Sequence, residues 1–241
     1  MGLKLLRKEK EPINNYVMTK SDIKKAIKDQ FVWDGRVLSS DIHVEISDNT
    51  AILSGEVPTY SSRVAAEEDA LSVSGINYVE NKLKVKYPET YSIPSDNEIN
   101  SAITNMLSLD HRIDSSKITV TVDSGVVVFR GDVDAYWKKD VIVEYSYRVT
   151  GIVGVVDEVT VTPLGNFTDE TIAEDIKNAL RRNGFVNDEE IKVKVKKGEV
   201  RLSGTVPSYS AKKRVRELAY YTTGVINIID NIKTRENLSV Y

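Results

Sequence analysis

The sequence predicts an α+β protein: three tandem small αββαβ domains, each with two helices packed on a three-stranded sheet. Three observations carry this. The string Ser54-Gly55-Glu56-Val57-Pro58-Thr59-Tyr60 returns as Ser203-Gly204-Thr205-Val206-Pro207-Ser208-Tyr209, and more divergently as Arg130-Gly131-Asp132-Val133-Asp134-Ala135-Tyr136. The offsets that string sets, 76 residues from Gly55 to Gly131 and 73 from Gly131 to Gly204, hold without a gap from about residue 22 to residue 84 of the first copy. Within each copy the apolar period changes from helical to alternating and back.

The segment 1–20 precedes the first unit. It begins Leu3-Lys4-Leu5-Leu6 and then turns charged at Arg7-Lys8-Glu9-Lys10-Glu11. A secretory signal needs an apolar run of about 7 to 15 residues, and this segment has none, so Met1 as native start would mean a cytoplasmic chain. The units span 21–88, 95–163 and 168–235. The links between them, around Pro88 to Pro94 and Pro163 to Phe167, contain proline, as inter-domain segments often do.

Each unit opens with a helix. Ile23, Ala26, Ile27 and Phe31 fall on one face, matched by Ile99, Ala102, Ile103 and Leu107 and by Ile172, Ile176 and Leu180. Ser21, Ser95 and Thr168 are the expected N-caps. A half-wet strand follows, with Ile42, Val44 and Ile46 alternating with His43 and Glu45; Ile118, Val120, Val122 and Ile191, Val193, Val195 repeat the pattern. Tight turns at Asp48-Asn49, Ser124-Gly125 and Lys197-Gly198 lead into a second strand through Leu53, Phe129 and Leu202. The second helix carries Ala66, Ala70, Val73; Ile142, Ser146, Val149; and Val215, Leu218, Ala219. Gly75, Gly151 and Gly224 are expected to end it as C′ glycines. A last strand uses Val79, Leu83, Val85; Val155, Val159, Val161; and Ile228, Ile232. A unit of about 65 residues has a small core, and contacts between neighbours would add to it.

The repeated residues read as structural. Gly55, Gly131 and Gly204, with Gly75, Gly151 and Gly224, are expected to serve backbone angle or close packing. Tyr60, Tyr136 and Tyr209 are expected to pack at the start of the second helix with the hydroxyl in water. Glu68, Glu144 and Glu217 read as a solvated helix face or local ion pairs. The Asn81/Asp157/Asp230 column reads as hydrogen-bonding a nearby turn.

Composition narrows the chemistry. There is no cysteine, so disulfides, thiolate nucleophiles and cysteine-based zinc sites are excluded. His43 and His111 occupy unrelated repeat positions, so neither a metal site nor a catalytic triad is expected, and no Walker or Rossmann fingerprint occurs. The reading is a non-enzymatic binding protein with no cofactor and no metal. The net charge of −3 rules out a basic nucleic-acid coat over the whole chain. That average hides a polarity: unit one is −3, unit two −5 and unit three +4, beside a +3 segment at 1–20. In unit three, Lys192, Lys194 and Lys196 share one strand face, Lys197 is in the turn, and Lys212, Lys213, Arg214 and Arg216 open the second helix. These eight are the candidate contacts for an anionic phospholipid headgroup, against an equally simple reading of the strand lysines as edge protection.

Ser-Gly-x-Val-x-x-Tyr after a hairpin, with Gly-Val/Ile-x-x-Val/Ile-x-Asn/Asp closing the second helix (Gly75 to Asn81, Gly151 to Asp157, Gly224 to Asp230), resembles the BON domain (bacterial OsmY and nodulation). Copy two departs most, with Arg130 for the serine and Asp134 for the proline. The resemblance implies an αββαβ fold, a periplasmic or envelope setting reached after removal of a signal, stress association, and binding to phospholipid surfaces. A protein-interaction or chaperone-like array without lipid affinity is the alternative, and no nucleic-acid partner is expected.

Overall fold

The computed structural model describes residues 18–38, 40–183 and 188–234. Unit one consists of α1 (Lys20–Trp33), β1 (Ile42–Ser47), β2 (Thr50–Val57), α2 (Tyr60–Ser72) and β3 (Tyr78–Val85). Unit two repeats the order as α3 (Asp96–Leu109), β4 (Ile118–Asp123), β5 (Val126–Val133), α4 (Tyr136–Glu144) and β6 (Gly154–Val161). Unit three follows with α5 (Asp169–Asn183), β7 (Ile191–Lys196), β8 (Glu199–Val206), α6 (Tyr209–Tyr220) and β9 (Asn227–Thr234). Each unit has its own three-stranded sheet with the hairpin antiparallel and the last strand parallel to the central one. The parallel pairing requires a crossover, and the second helix supplies it.

The cores follow the repeated columns. Ile27, Ile103 and Ile176 are fully buried on the first helices, and Leu53, Phe129 and Leu202 on the central strands. Each such burial contributes about 1.5–3 kcal/mol. Three separate cores result, one per unit.

The hairpin glycines answer a specific demand. Gly55, Gly131 and Gly204 have φ of 114°, 139° and 142°, and a Cβ on any of them would strike the carbonyl oxygen of Asp41, Lys117 or Glu190. Both the angle and the approach exclude a side chain.

Three local expectations need correction. The cap of α1 is Thr19, not Ser21: Thr19 accepts from the amide of Asp22, whose carboxylate returns to the Thr19 amide at 2.9 Å. Threonine with an acid three residues on completes a capping box, whereas Ser21 faces Lys24 at that spacing. In unit two the second helix is α-helical only to Glu144 and continues as a 3-10 turn, Tyr145–Arg148. Gly75, Gly151 and Gly224 also lie beyond the C′ position. The helices end at Ser72, at Arg148 after the 3-10 turn, and at Tyr220, and each glycine sits in the connection to the last strand at φ of 92°, 94° or 87°. There a Cβ would press on the δ-methyl of Ile23, Ile99 or Ile172 at 3.1, 2.9 or 3.0 Å, so this column seats the connection on the first helix.

Candidate functional site

Two surfaces gather the residues singled out above: the outer face of the third sheet and the junction where the three units meet. On β7, inward Ile191, Val193 and Val195 alternate with exposed Lys192, Lys194 and Lys196. The register places Lys192 beside Ser203, Lys194 beside Arg201 and Lys196 beside Glu199 on β8. Lys197 occupies the hairpin turn at φ 54°, where its amide and that of Gly198 donate to the Asp169 carboxylate at 2.8 and 2.9 Å. Those amides hold Asp169 below the usual carboxylate range. Among the described residues, Lys192, Lys194, Lys196 and Lys197 form no ion pair, and on this face Arg201 pairs with Glu199 at 3.6 Å. The sheet thus presents a row of ammonium groups to solvent, with Glu199 beside Lys196 at its end.

The helix half of the cation set lies elsewhere. Lys212 is only 8% exposed; its Nζ donates to the Asn77 carbonyl of unit one at 3.4 Å, stands 3.9 Å from Asp230, and lies 5.8 Å over the Tyr78 ring. Arg216 pairs with Asp140 of unit two at 3.7 Å, and Arg214 pairs with Glu217 on its own helix at 2.8 Å. Lys213 is exposed, with no ion-pair partner among the described residues. The basic patch seen along the sequence therefore divides between a sheet face and a helix of which Lys212 and Arg216 reach into the junction.

The junction also collects the repeated tyrosines, which do more than cap their own helix with a wet hydroxyl. Tyr60 packs on the core of unit two and lies 5.8 Å from the Tyr147 ring. Tyr136 packs on the core of unit three and meets Tyr220 edge-on at 5.7 Å. Burial pushes the pKa of both phenols above the ordinary tyrosine value. Further links are Tyr87 Oη to the Ile152 carbonyl at 3.1 Å and Tyr220 Oη to the Trp137 carbonyl at 2.9 Å. Unit three closes back on unit one through Asn77, 7% exposed, whose Oδ1 accepts from the Thr234 amide at 3.2 Å. The three units thus contact one another as a closed triangle, with a cleft of about 670 Å³ at the centre reached by all three. Sequence reasoning missed Asn77 and Tyr147, because neither belongs to an identical column.

The Asn81/Asp157/Asp230 column is local: each side chain accepts from the amide two residues on, at 2.9–3.1 Å. Asp157 and Asp230 also face Lys139 and Lys212, at 3.3 and 3.9 Å. Glu68, Glu144 and Glu217 form exposed pairs with Arg36, Arg148 and Arg214. His43 and His111 are exposed. Among the described residues, no group of three or more His, Asp or Glu side chains is placed to hold a metal ion, and no helix is long and apolar enough to cross a membrane.

Comparison with known proteins bears on the family of the chain. The chain is 30% identical over 145 residues to the osmotically-inducible protein Y of Escherichia coli (strain K12), an alignment covering 56% of this chain and 72% of that protein. Among solved structures it is similar to CdsD, a structural protein of the type III secretion system of Chlamydia trachomatis, at 13% identity and a TM-score of 0.24 over 88% of this chain and 92% of that one. It is also similar to the PrgH periplasmic domain, at 12% identity and a TM-score of 0.21 over 86% of this chain and 97% of that one. The BON domain model matches three times, at residues 19–87, 95–163 and 168–236. Three copies of the αββαβ unit, each matched over its length, make this chain a member of the BON domain family.

Proposed function

We propose that the chain is a non-enzymatic protein that binds anionic phospholipid surfaces, in an envelope and osmotic-stress setting. The observation that carries this reading is the outer face of the third sheet, where Lys192, Lys194 and Lys196 project without an ion pair among the described residues, beside Lys197 in the turn. A polybasic surface near anionic lipid gains about 1 kcal/mol per cation, so four aligned lysines supply useful affinity without a pocket. Unit one adds an apolar tip at the end of α1: Trp33 is 86% exposed, with Val32 and Leu38 also exposed. Indole rings favour the membrane–water interface. The stress setting is supported by the similarity to an osmotically-inducible protein.

Sedimentation with vesicles tests the reading. Full-length chain should pellet with phosphatidylcholine vesicles containing phosphatidylglycerol and stay in solution with phosphatidylcholine alone. The triple variant Lys192→Glu, Lys194→Glu, Lys196→Glu should lose most of that binding. These side chains face solvent, so the thermal midpoint should hardly move. Equal pelleting with both vesicles, or full binding by the triple variant, would overturn the reading in favour of a protein partner.

A further inference from the structure

Two of the three contacts around the triangle follow one rule, and the third breaks it. Leu71, Tyr147 and Tyr220 occupy the same position of the repeat. At the first contact the repeated Tyr60 meets Tyr147, and at the second the repeated Tyr136 meets Tyr220. At the third, the same arithmetic pairs Tyr209 with Leu71, so one aromatic ring is missing. Both residues line the central cleft. Tyr209 does not join the core of unit one as Tyr60 and Tyr136 join the cores of their neighbours. The third contact is closed instead by polar bonds at Asn77, leaving the cleft beside it.

Three acids and three cations line the cleft, and two of these six, Glu67 and Lys213, have no ion-pair partner among the described residues. Its acids are engaged: Glu67 accepts from Asn81 Nδ2 at 3.0 Å, Glu68 pairs with Arg36 at 3.5 Å, and Asp230 is held by Lys212 and the Ile232 amide. Arg216 has Asp140. Lys213, the remaining cation of the lining, has no ion-pair partner among the described residues. Tyr78 and Val64 add apolar surface.

We infer that this cleft binds an aromatic carboxylate, its ring taking the place of the missing phenol against Tyr209 and Leu71 and its anion meeting Lys213. Tilted or edge-on packing on a tyrosine is the arrangement the other two contacts already use. The volume of about 670 Å³ accepts a ring with its acidic substituent and several waters. The proposal is independent of the membrane reading, because the cleft and the lysine face share no residue.

The test is titration of the isotopically labelled full chain with N-acetyltyrosine, followed by NMR chemical shifts. Saturable shifts should appear at Leu71, Tyr209 and Lys213. The neutral N-acetyltyrosine amide and the non-aromatic N-acetylcyclohexylalanine should each bind about tenfold more weakly. Leu71→Tyr supplies the ring from within the chain and should abolish saturable binding with the fold intact, as judged by the remaining resonances. Lys213→Glu, on an exposed side chain, should weaken binding about tenfold and serves if Leu71→Tyr fails to fold. Absence of saturable shifts up to about 10 mM, or an unchanged dissociation constant in Lys213→Glu, would overturn the proposal.

Discussion

Asp69 shows what one buried carboxyl does in so small a unit. It is 5% exposed, its Oδ2 finds no partner, and burial raises its pKa to about 6 from an ordinary 3.8. Asp34 and Glu68 push in the same direction, while Arg36 and Gln30 oppose them. The folded chain therefore prefers the neutral acid. Its full contribution is present below about pH 4 and is lost as pH rises through about 6. Asp69→Asn should raise the midpoint of unit one by several degrees at pH 7.5, corresponding to about 1–2 kcal/mol after solvent screening. At pH 4 it should have little effect. Thermal unfolding at the two pH values decides this, and an equal effect at both would place the cause in packing. This strain has no mark in the sequence: Asp69 follows Glu67 and Glu68 and reads as one more solvated acid.

At the scale of the element, most of the architecture was readable, because helix and strand periods are local properties of the chain. Ile23, Ile27 and Phe31 announce a helix face, and Ile42, Val44 and Ile46 a strand, without knowledge of their neighbours. What was misread depends on partners. The 3-10 end of the helix in unit two holds Tyr147 against Tyr60 of unit one. The glycine before the last strand answers an isoleucine some 52 residues away (Gly75 on Ile23, Gly151 on Ile99), not the end of its own helix. The hairpin glycine is the sharper case, since repetition alone marked it and a carbonyl from the preceding segment supplies the reason. Gly131→Ala must hold an L-residue at φ 139° and displace the Lys117 carbonyl. It should destabilise unit two by about 2–4 kcal/mol, read by urea denaturation. Gly35, with open space around its Cα and no positive φ, should accept alanine with a change of about 0.5 kcal/mol or less.

For the whole molecule, the candidate site was only half visible in the sequence. Lys192, Lys194 and Lys196 share a face by strand alternation alone. Lys212 sits as close to Arg214 in sequence as Lys194 does to Lys196, yet it is buried on Asn77, 135 residues away. No periodicity encodes a contact between units. The repeated tyrosine is the residue on which that assembly turns. Its presence in every copy, read one unit at a time, suggested only a helix start, whereas two of the three copies bury it in the neighbour. Removing such a ring costs the burial lost and the aromatic pair, together about 3–5 kcal/mol. Tyr136→Ala should therefore separate the unfolding of unit three from that of unit two. Calorimetry should show a second, lower transition, and amide exchange should quicken in α6 before β4. Tyr209→Ala, at the contact that lacks the second ring and is held by Asn77, should leave the transitions together and cost about 1 kcal/mol. If the two substitutions behaved alike, the asymmetry of the triangle would have no energetic meaning. A loss confined to Tyr136 would show that the chain is sealed by aromatic pairs on two sides and left openable on the third.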